Sequence, residues 1–180
     1  VWRAPAAAPP HAPARHPPGL PAGLPPAPRT QVVANTALAA AGAGTAAARL
    51  GSAVHSLGSA NQGEAGQEGR DLADLCRTIR DDRRPLAPPA CVLSGGEPVV
   101  KLVPTNQPRK GGRNQEIALA ALQHLWNDVL DRIAILSDST DGEAGPTNAA
   151  SADVDDTLQQ AGLAPDIATP DVLAINNAYH

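Results

Sequence analysis

The stretch Ala53-Val54-His55-Ser56-Leu57-Gly58-Ser59-Ala60-Asn61-Gln62-Gly63, continuing through Leu72, Leu75, Cys76 and Ile79, decides the fold. Ala53 to Leu57 is a short apolar run of strand length. Glycines and polar residues interrupt it, and from Gly63 to Ile79 the apolar residues fall at helical spacing. Upstream, Val32-Val33-Ala34 is another short run. Asn35 and Thr36 then offer N-cap chemistry to an Ala-rich helix that ends at Leu50-Gly51, a C-cap pair. Strand, helix, strand, helix at this spacing predicts a parallel α/β sheet. Downstream, Asp81 to Pro89 is a charged, Pro-rich break. Ala90–Leu93 reads as a buried strand, and Ser94-Gly95-Gly96-Glu97-Pro98 as a tight turn. Val99–Val103 reads as another strand, paired in a hairpin or within one sheet. A helix begins near Arg113, with Ile117, Ala121, Leu125 and Val129 as its apolar stripe. Ile133–Leu136 is the last short strand expected.

Working outward, the composition narrows the class. The chain has 180 residues, 19 of them Pro and 16 Gly, with no Phe or Met and 2% aromatics. Ala, Val, Leu and Ile must therefore build the core. A chain that starts on Val1 without Met is expected to be processed or part of something longer. Ten prolines lie between Pro5 and Pro28, so residues 1–30 are expected to be a linker or disordered lead-in, and His11 and His16 ordinary linker histidines. No apolar run is long enough for a transmembrane helix, and prolines interrupt any signal-like core, so no membrane partner is expected. A net charge of −4 argues against a nucleic-acid partner. Cys76 and Cys91 make neither a disulfide framework nor a metal site, and point to a reducing compartment, the cytoplasm.

Two loops carry the chemistry. Arg109-Lys110-Gly111-Gly112-Arg113-Asn114-Gln115-Glu116 sets two glycines before a helix. Its free amides and dipole favour an anion, and Arg113 adds a planar fork for carboxylate or phosphate. Glu116 could cap amides, orient Arg113 or face a ligand. The second loop, Ser137-Asp138-Ser139-Thr140-Asp141-Gly142 on to Gly145-Pro146-Thr147-Asn148, follows a strand end. There, carboxylates and hydroxyls suit Mg²⁺ or a hydroxylated substrate. No Lys or Arg follows Arg132, while eight acidic residues do. A cationic and an anionic loop together fit a phosphorylated or carboxylated small molecule with a divalent cation.

Four motifs now stand in order: Ser94-Gly95-Gly96-Glu97; Gly111 to Glu116; Thr140-Asp141-Gly142 with Gly145-Pro146-Thr147; and Asn176-Asn177 with Tyr179-His180. The chain resembles the C-terminal portion of the glycerate 2-kinase family of the MOFRL-domain type, some of whose members are labelled hydroxypyruvate reductases. The resemblance implies an α/β fold: residues 31–85 as the end of a Rossmann-like parallel-sheet domain, and 90–180 as a smaller α/β MOFRL-like domain cut short at its end. It implies transfer of the ATP γ-phosphate to the 2-hydroxyl of D-glycerate, with ATP and Mg²⁺ as cofactors. Arg113 and Asp141 would be catalytic. Gly95, Gly96, Glu97, Gly112, Asn114, Glu116, Thr140 and Asn148 would bind substrate. Metal ligands are not assigned, and a homodimer is left open. Asp138-Ser139 stand where the family usually has Gly-Gly, Asn148 where it has Asp, and Ser151 where it has Gly. Most of the family's N-terminal domain, with its expected catalytic Lys, is missing, so these residues are expected to be inactive by themselves. Two other readings are weighed: a hydroxypyruvate reductase-type oxidoreductase, for which no dinucleotide fingerprint follows a strand, and a non-catalytic small-anion-binding module. Trp126 is expected in the core, His55 at a strand end, His124 on a helix surface, Cys91 inert, and His180 as an ordinary chain-end residue, which the resemblance would bring to the cleft only in a full-length protein.

Overall fold

The computed structural model describes residues 35–128, 130–140, 142, 147, 149–160 and 173–179. All of them belong to the compact unit Ala34–His180. The lead-in 1–30, the strand expected at Val32–Ala34, and the expectations on Val129, Asp141, Asn148 and His180 lie outside the described residues.

Helix α1 (Thr36–Arg49) starts where Asn35 can cap it: the Asn35 side chain accepts the Leu38 N–H at 2.9 Å. It ends in a paired cap, with Ser52 N–H on the Ala47 carbonyl and Gly51 N–H on that of Ala48, each at 3.0 Å. Strand β1 (Ala53–Ser56), helix α2 (Ala65–Asp82) and strand β2 (Ala90–Leu93) form a strand–helix–strand unit. β1 and β2 are parallel and in register, Ala53 opposite Ala90 through Ser56 opposite Leu93. The expected α/β class with a parallel sheet is therefore present. The pairing joins residues on either side of the Pro-rich break, and α2 runs three residues past Ile79 before that break stops it.

Helix α3 (Arg113–Leu125) is central. Its residues 114–122 and Leu125 are all buried, so the expected four-residue stripe is too narrow a description. α2 packs on α3 through small residues: Ala65, Gly66, Gly69 and Ala73 are buried, whereas Leu72, Leu75 and Cys76 are half-buried. A Cβ at Gly69 would fall 2.2 Å from the Ile117 carbonyl, so the helices meet backbone to backbone. Strand β3 (Ile135–Asp138) lies two residues later than expected and pairs antiparallel with β4 (Ser151–Val154), which the sequence pattern missed. A short helix α4 (Asp156–Gln160) follows. The core gathers Ala118, Leu119, Ala121, Leu122, Leu125, Leu130, Ile133, Ile135 and Val154, with Trp126 packed against it as expected.

Val99–Val103 is not a strand. Glu64 and Val99 form an isolated parallel bridge, and the amide of Val103 is taken by the Asn176 side chain. With its polar groups met this way, the segment has no need of a ladder.

Candidate functional site

The first turn of α3 is built from four consecutive polar or charged side chains, each directed at a different segment. Arg113 Nη1 donates to Glu97 Oε1 at 2.8 Å, reaching the turn after β2. Asn114 is buried. Its Nδ2 donates to Ser139 Oγ at 2.8 Å and the Ala150 carbonyl at 2.9 Å, and its Oδ1 accepts from Ser137 Oγ at 2.9 Å. Asn114 thus ties β3 and the residues flanking the β3–β4 pair, Ser139 and Ala150, to the helix. Gln115 Nε2 donates to Thr147 Oγ1 at 3.3 Å, and its Oε1 is buried without a partner. Glu116 is 6% exposed and accepts from Asn176 Nδ2 at 3.1 Å. Burial raises its carboxyl above the ordinary range, an effect that the Asn176 hydrogen bond opposes. The spacing rule explains the spread: consecutive helix residues point about 100° apart.

No side chain caps α3. Gly112, the residue before it, is extended, so the first amides are not occupied by a local side-chain oxygen. The preceding loop is held instead to the last described segment. Lys110 N–H donates to Asn177 Oδ1 at 2.8 Å, Tyr179 N–H donates to the Lys110 carbonyl at 3.0 Å, and Lys110 Nζ lies 4.2 Å from the Tyr179 ring centroid.

In front of α3 opens a cavity of about 1270 Å³. Gly95, Gly96, Glu97, Arg113, Asn114 and Thr140 all line it. Six of the ten expected site residues are therefore gathered on one wall system. Gly112 and Glu116 do not line it: Gly112 precedes the helix, and Glu116 points away toward Asn176. Asp141 and Asn148 are not among the described residues.

The glycine turn has its own physical reason. Gly95 N–H donates to the Gly58 carbonyl, Asn61 N–H to the Gly95 carbonyl, and Glu97 N–H to the Asn61 carbonyl at 2.7 Å. Gly96 has φ 147°, and a Cβ there would lie 2.2 Å from the Asn61 carbonyl oxygen. Two loops at the ends of parallel strands are thus sewn together along their backbones, and this shapes the cavity mouth. Ser94 Oγ donates to Glu68 Oε1 at 2.7 Å on the same rim.

Outside the cavity, Asp74 joins His124 at 2.8 Å and also pairs with Arg77, which reaches Asp128 at 2.9 Å. The His124 contact holds the Asp74 carboxyl below its usual range. His124 is on the helix surface as expected, and this network fastens α2 to the far end of α3. Burial pushes the Cys76 thiol up, away from reactivity. Among the described residues no group of three His, Cys, Asp or Glu is placed to hold a metal, and no helix is long and apolar enough to cross a membrane. Asn176 stands in the fourth motif, but sequence reading gave it no role in organising this region. Its signal was a paired Asn-Asn in an otherwise apolar stretch.

The family profile described as MOFRL matches residues 90–180. A glycerate kinase of Danio rerio is 37% identical over 115 residues, covering 62% of this chain and 22% of its own length. The D-glycerate 2-kinase of Thermotoga maritima is 39% identical over 92 residues, covering 51% and 21%, and the glycerate 2-kinase of Pyrococcus horikoshii 35% identical over 118 residues, covering 66% and 26%. The chain thus spans between a fifth and about a quarter of these relatives. Among solved structures, a protein of Pyrococcus horikoshii OT3 superposes with a TM-score of 0.72 at 30% identity over 86% of this chain and 34% of its own. A glycerate kinase of Thermotoga maritima superposes with a TM-score of 0.66 at 32% identity, over 81% and 34%.

Proposed function

The chain belongs to the MOFRL family, and from that premise we propose that it supplies one side of a glycerate 2-kinase site, in which the ATP γ-phosphate passes to the 2-hydroxyl of D-glycerate. The observation that carries this reading is the convergence of Arg113, the Gly95-Gly96-Glu97 turn, Asn114 and Thr140 on one cavity at the start of an uncapped helix. In the reaction the glycerate oxygen forms a bond to the γ-phosphorus, the β–γ bridging P–O bond breaks so that ADP leaves, and the hydroxyl proton passes to water. Such transfer depends on positioning and charge neutralisation rather than on covalent chemistry by the protein. Arg113 meets the glycerate carboxylate or the moving phosphoryl group. Its Nη1 is already held by Glu97, which leaves the rest of the fork to face the cavity. Gly112 and the first amides of α3 add the helix-end field. Asn114 holds the Ser139–Thr140 wall in place, and Glu116 acts from behind through the helix start. Asp141 is proposed as the catalytic carboxylate of the acidic loop, and Asn148 of the same loop as a substrate-binding residue.

The described residues form no protein cage for Mg²⁺. A Mg²⁺ that enters with nucleotide phosphates needs only one or two carboxylates. Asp138 lines the cavity, whereas Glu97 and Glu68 are engaged with Arg113 and Ser94. Mg²⁺ would neutralise phosphate charge there. Residues 31–85 are read as the end of a larger Rossmann-like domain and 90–180 as the MOFRL domain, in a cytoplasmic enzyme. The other cleft wall belongs to the part of the family length that these residues do not span.

A coupled assay with ATP, Mg²⁺ and D-glycerate tests the reading. The 180 residues alone are expected to give no turnover, and the same residues joined to a family N-terminal domain to form 2-phosphoglycerate. ATP-independent oxidation of NADH by hydroxypyruvate in the joined protein would overturn it in favour of an oxidoreductase.

A further inference from the structure

The backbone at Asn176 is left-handed, φ 54°, a conformation that Asn tolerates better than most side chains. Its own side chain is buried and uses both ends of its amide. Oδ1 accepts the Val103 N–H at 2.9 Å; Nδ2 donates to Glu116 Oε2 at 3.1 Å and reaches the Lys101 carbonyl at 3.4 Å. Asn177 and Tyr179, just beyond, hold both backbone groups of Lys110. Segment 176–179 therefore grips the start of α3 twice, once through the loop that leads in and once through the first turn. Arg113 lies between the two grips. Two fixed points three residues either side leave little freedom for the base of its side chain, whose tip Glu97 then holds.

We infer that Asn176 is a positioning residue for Arg113, acting through its hydrogen bond to Glu116 to set the aim of the α3 N-terminus into the cavity. The inference rests on the reading of Arg113 as the anion-binding group. It goes beyond that reading by making a donor 63 positions later in sequence part of the site (176 less 113). The polarity of the bond is what matters: the amide must donate toward Glu116 and accept from Val103. Charged groups bearing on Glu116 are Glu64 and Arg70 from the α2 side; Arg109 lies on the same loop system and donates to the Val103 carbonyl at 2.5 Å.

The test reads the Arg113 guanidinium directly, by NMR on the 180-residue chain, together with amide protection of residues 101–103. Asn176→Asp keeps the shape and the acceptor but sets a second carboxylate against Glu116. At pH 7 the Arg113 signals should broaden or move, and as the two carboxylates push residue 176 away from Val103, protection of the Val103 amide should fall roughly tenfold, the size of one lost hydrogen bond. Both should return toward wild type in acid, where one carboxyl of the pair carries a proton and donates. Should Asn176→Asp fold poorly at neutral pH, the swap Asn176→Asp with Glu116→Gln decides. It reverses donor and acceptor and should restore the wild-type Arg113 signals at pH 7, which a space-filling role would not predict. Arg113 signals unmoved by Asn176→Asp at pH 7, or a folded swap that leaves them displaced, overturn the inference. Titrating D-glycerate into the same residues joined to a family N-terminal domain checks the underlying reading separately: no response at Arg113 there removes the glycerate site, whatever the swap shows.

Discussion

Arg113 and Glu97 form an exposed ion pair, with side chains 34% and 76% accessible. Solvent screening keeps the stability worth of such a pair under about 1 kcal/mol. Arg113→Ala should therefore leave the melting temperature almost unchanged while abolishing the joined protein's response to D-glycerate. A fall in melting temperature with binding intact would make Arg113 structural instead. Glu116 behaves in the opposite manner because it is buried. Its folded-state pKa lies above the ordinary value of 4.5. Its contribution to stability is therefore fully present below 4.5 and is lost as pH rises through the folded value. Urea unfolding of wild type and Glu116→Gln across pH should show the variant gaining on wild type as pH increases from 4 toward 7. A constant difference would show that burial does not set this carboxyl.

At the level of elements, caps and short apolar runs were the readable signals. Asn35 and Gly51 bounded α1 correctly because capping depends on a few adjacent residues. β2 was placed at its observed bounds. β4 was invisible because Ser151, Ala152 and Asp153 carry no strand preference and only Val154 is buried. Val99–Val103 failed for the converse reason. Its apolar run suits a strand, but a distant Asn takes its amide. The α2 stripe was drawn through Leu72 and Leu75, whereas contact with α3 is made by residues too small to register as hydrophobic signals. Glycines divide in the same manner. Gly42 lies on exposed α1 with nothing near its missing side chain, so Gly42→Ala should stabilise by about 0.5–1 kcal/mol. Gly96→Ala meets the Asn61 backbone and should cost at least about 2 kcal/mol. Chemical denaturation of both variants measures the pair, and equal effects would refute the backbone seam at the cavity mouth.

For the molecule as a whole, stability is concentrated around α3. α1 has no buried residue, while α3 has ten. Native-state hydrogen exchange should find the α1 amides opening by local fraying and those of α3 only with global unfolding. Comparable protection in both helices would contradict this layout. The α/β class was legible in the sequence, and so was a set of candidate residues that the fold brings together. Three of the four ordered motifs supply six residues that share one cavity, because close backbone approaches and charged forks leave distinctive strings. What the strings could not convey was direction. Nothing in Gly111 to Glu116 tells that Glu116 turns its back on the cavity, since that follows from where residue 176 arrives.

The radiating first turn of α3 has a consequence for how this protein tolerates change. A single substitution there cuts one strut and leaves three. Inserting or deleting one residue between Glu116 and Ile117 would rotate all four side chains together by about 100° relative to the buried remainder of α3. A substitution there thus acts on one contact, whereas a change of length acts on all four at once, because the turn keeps its phase with the rest of the helix.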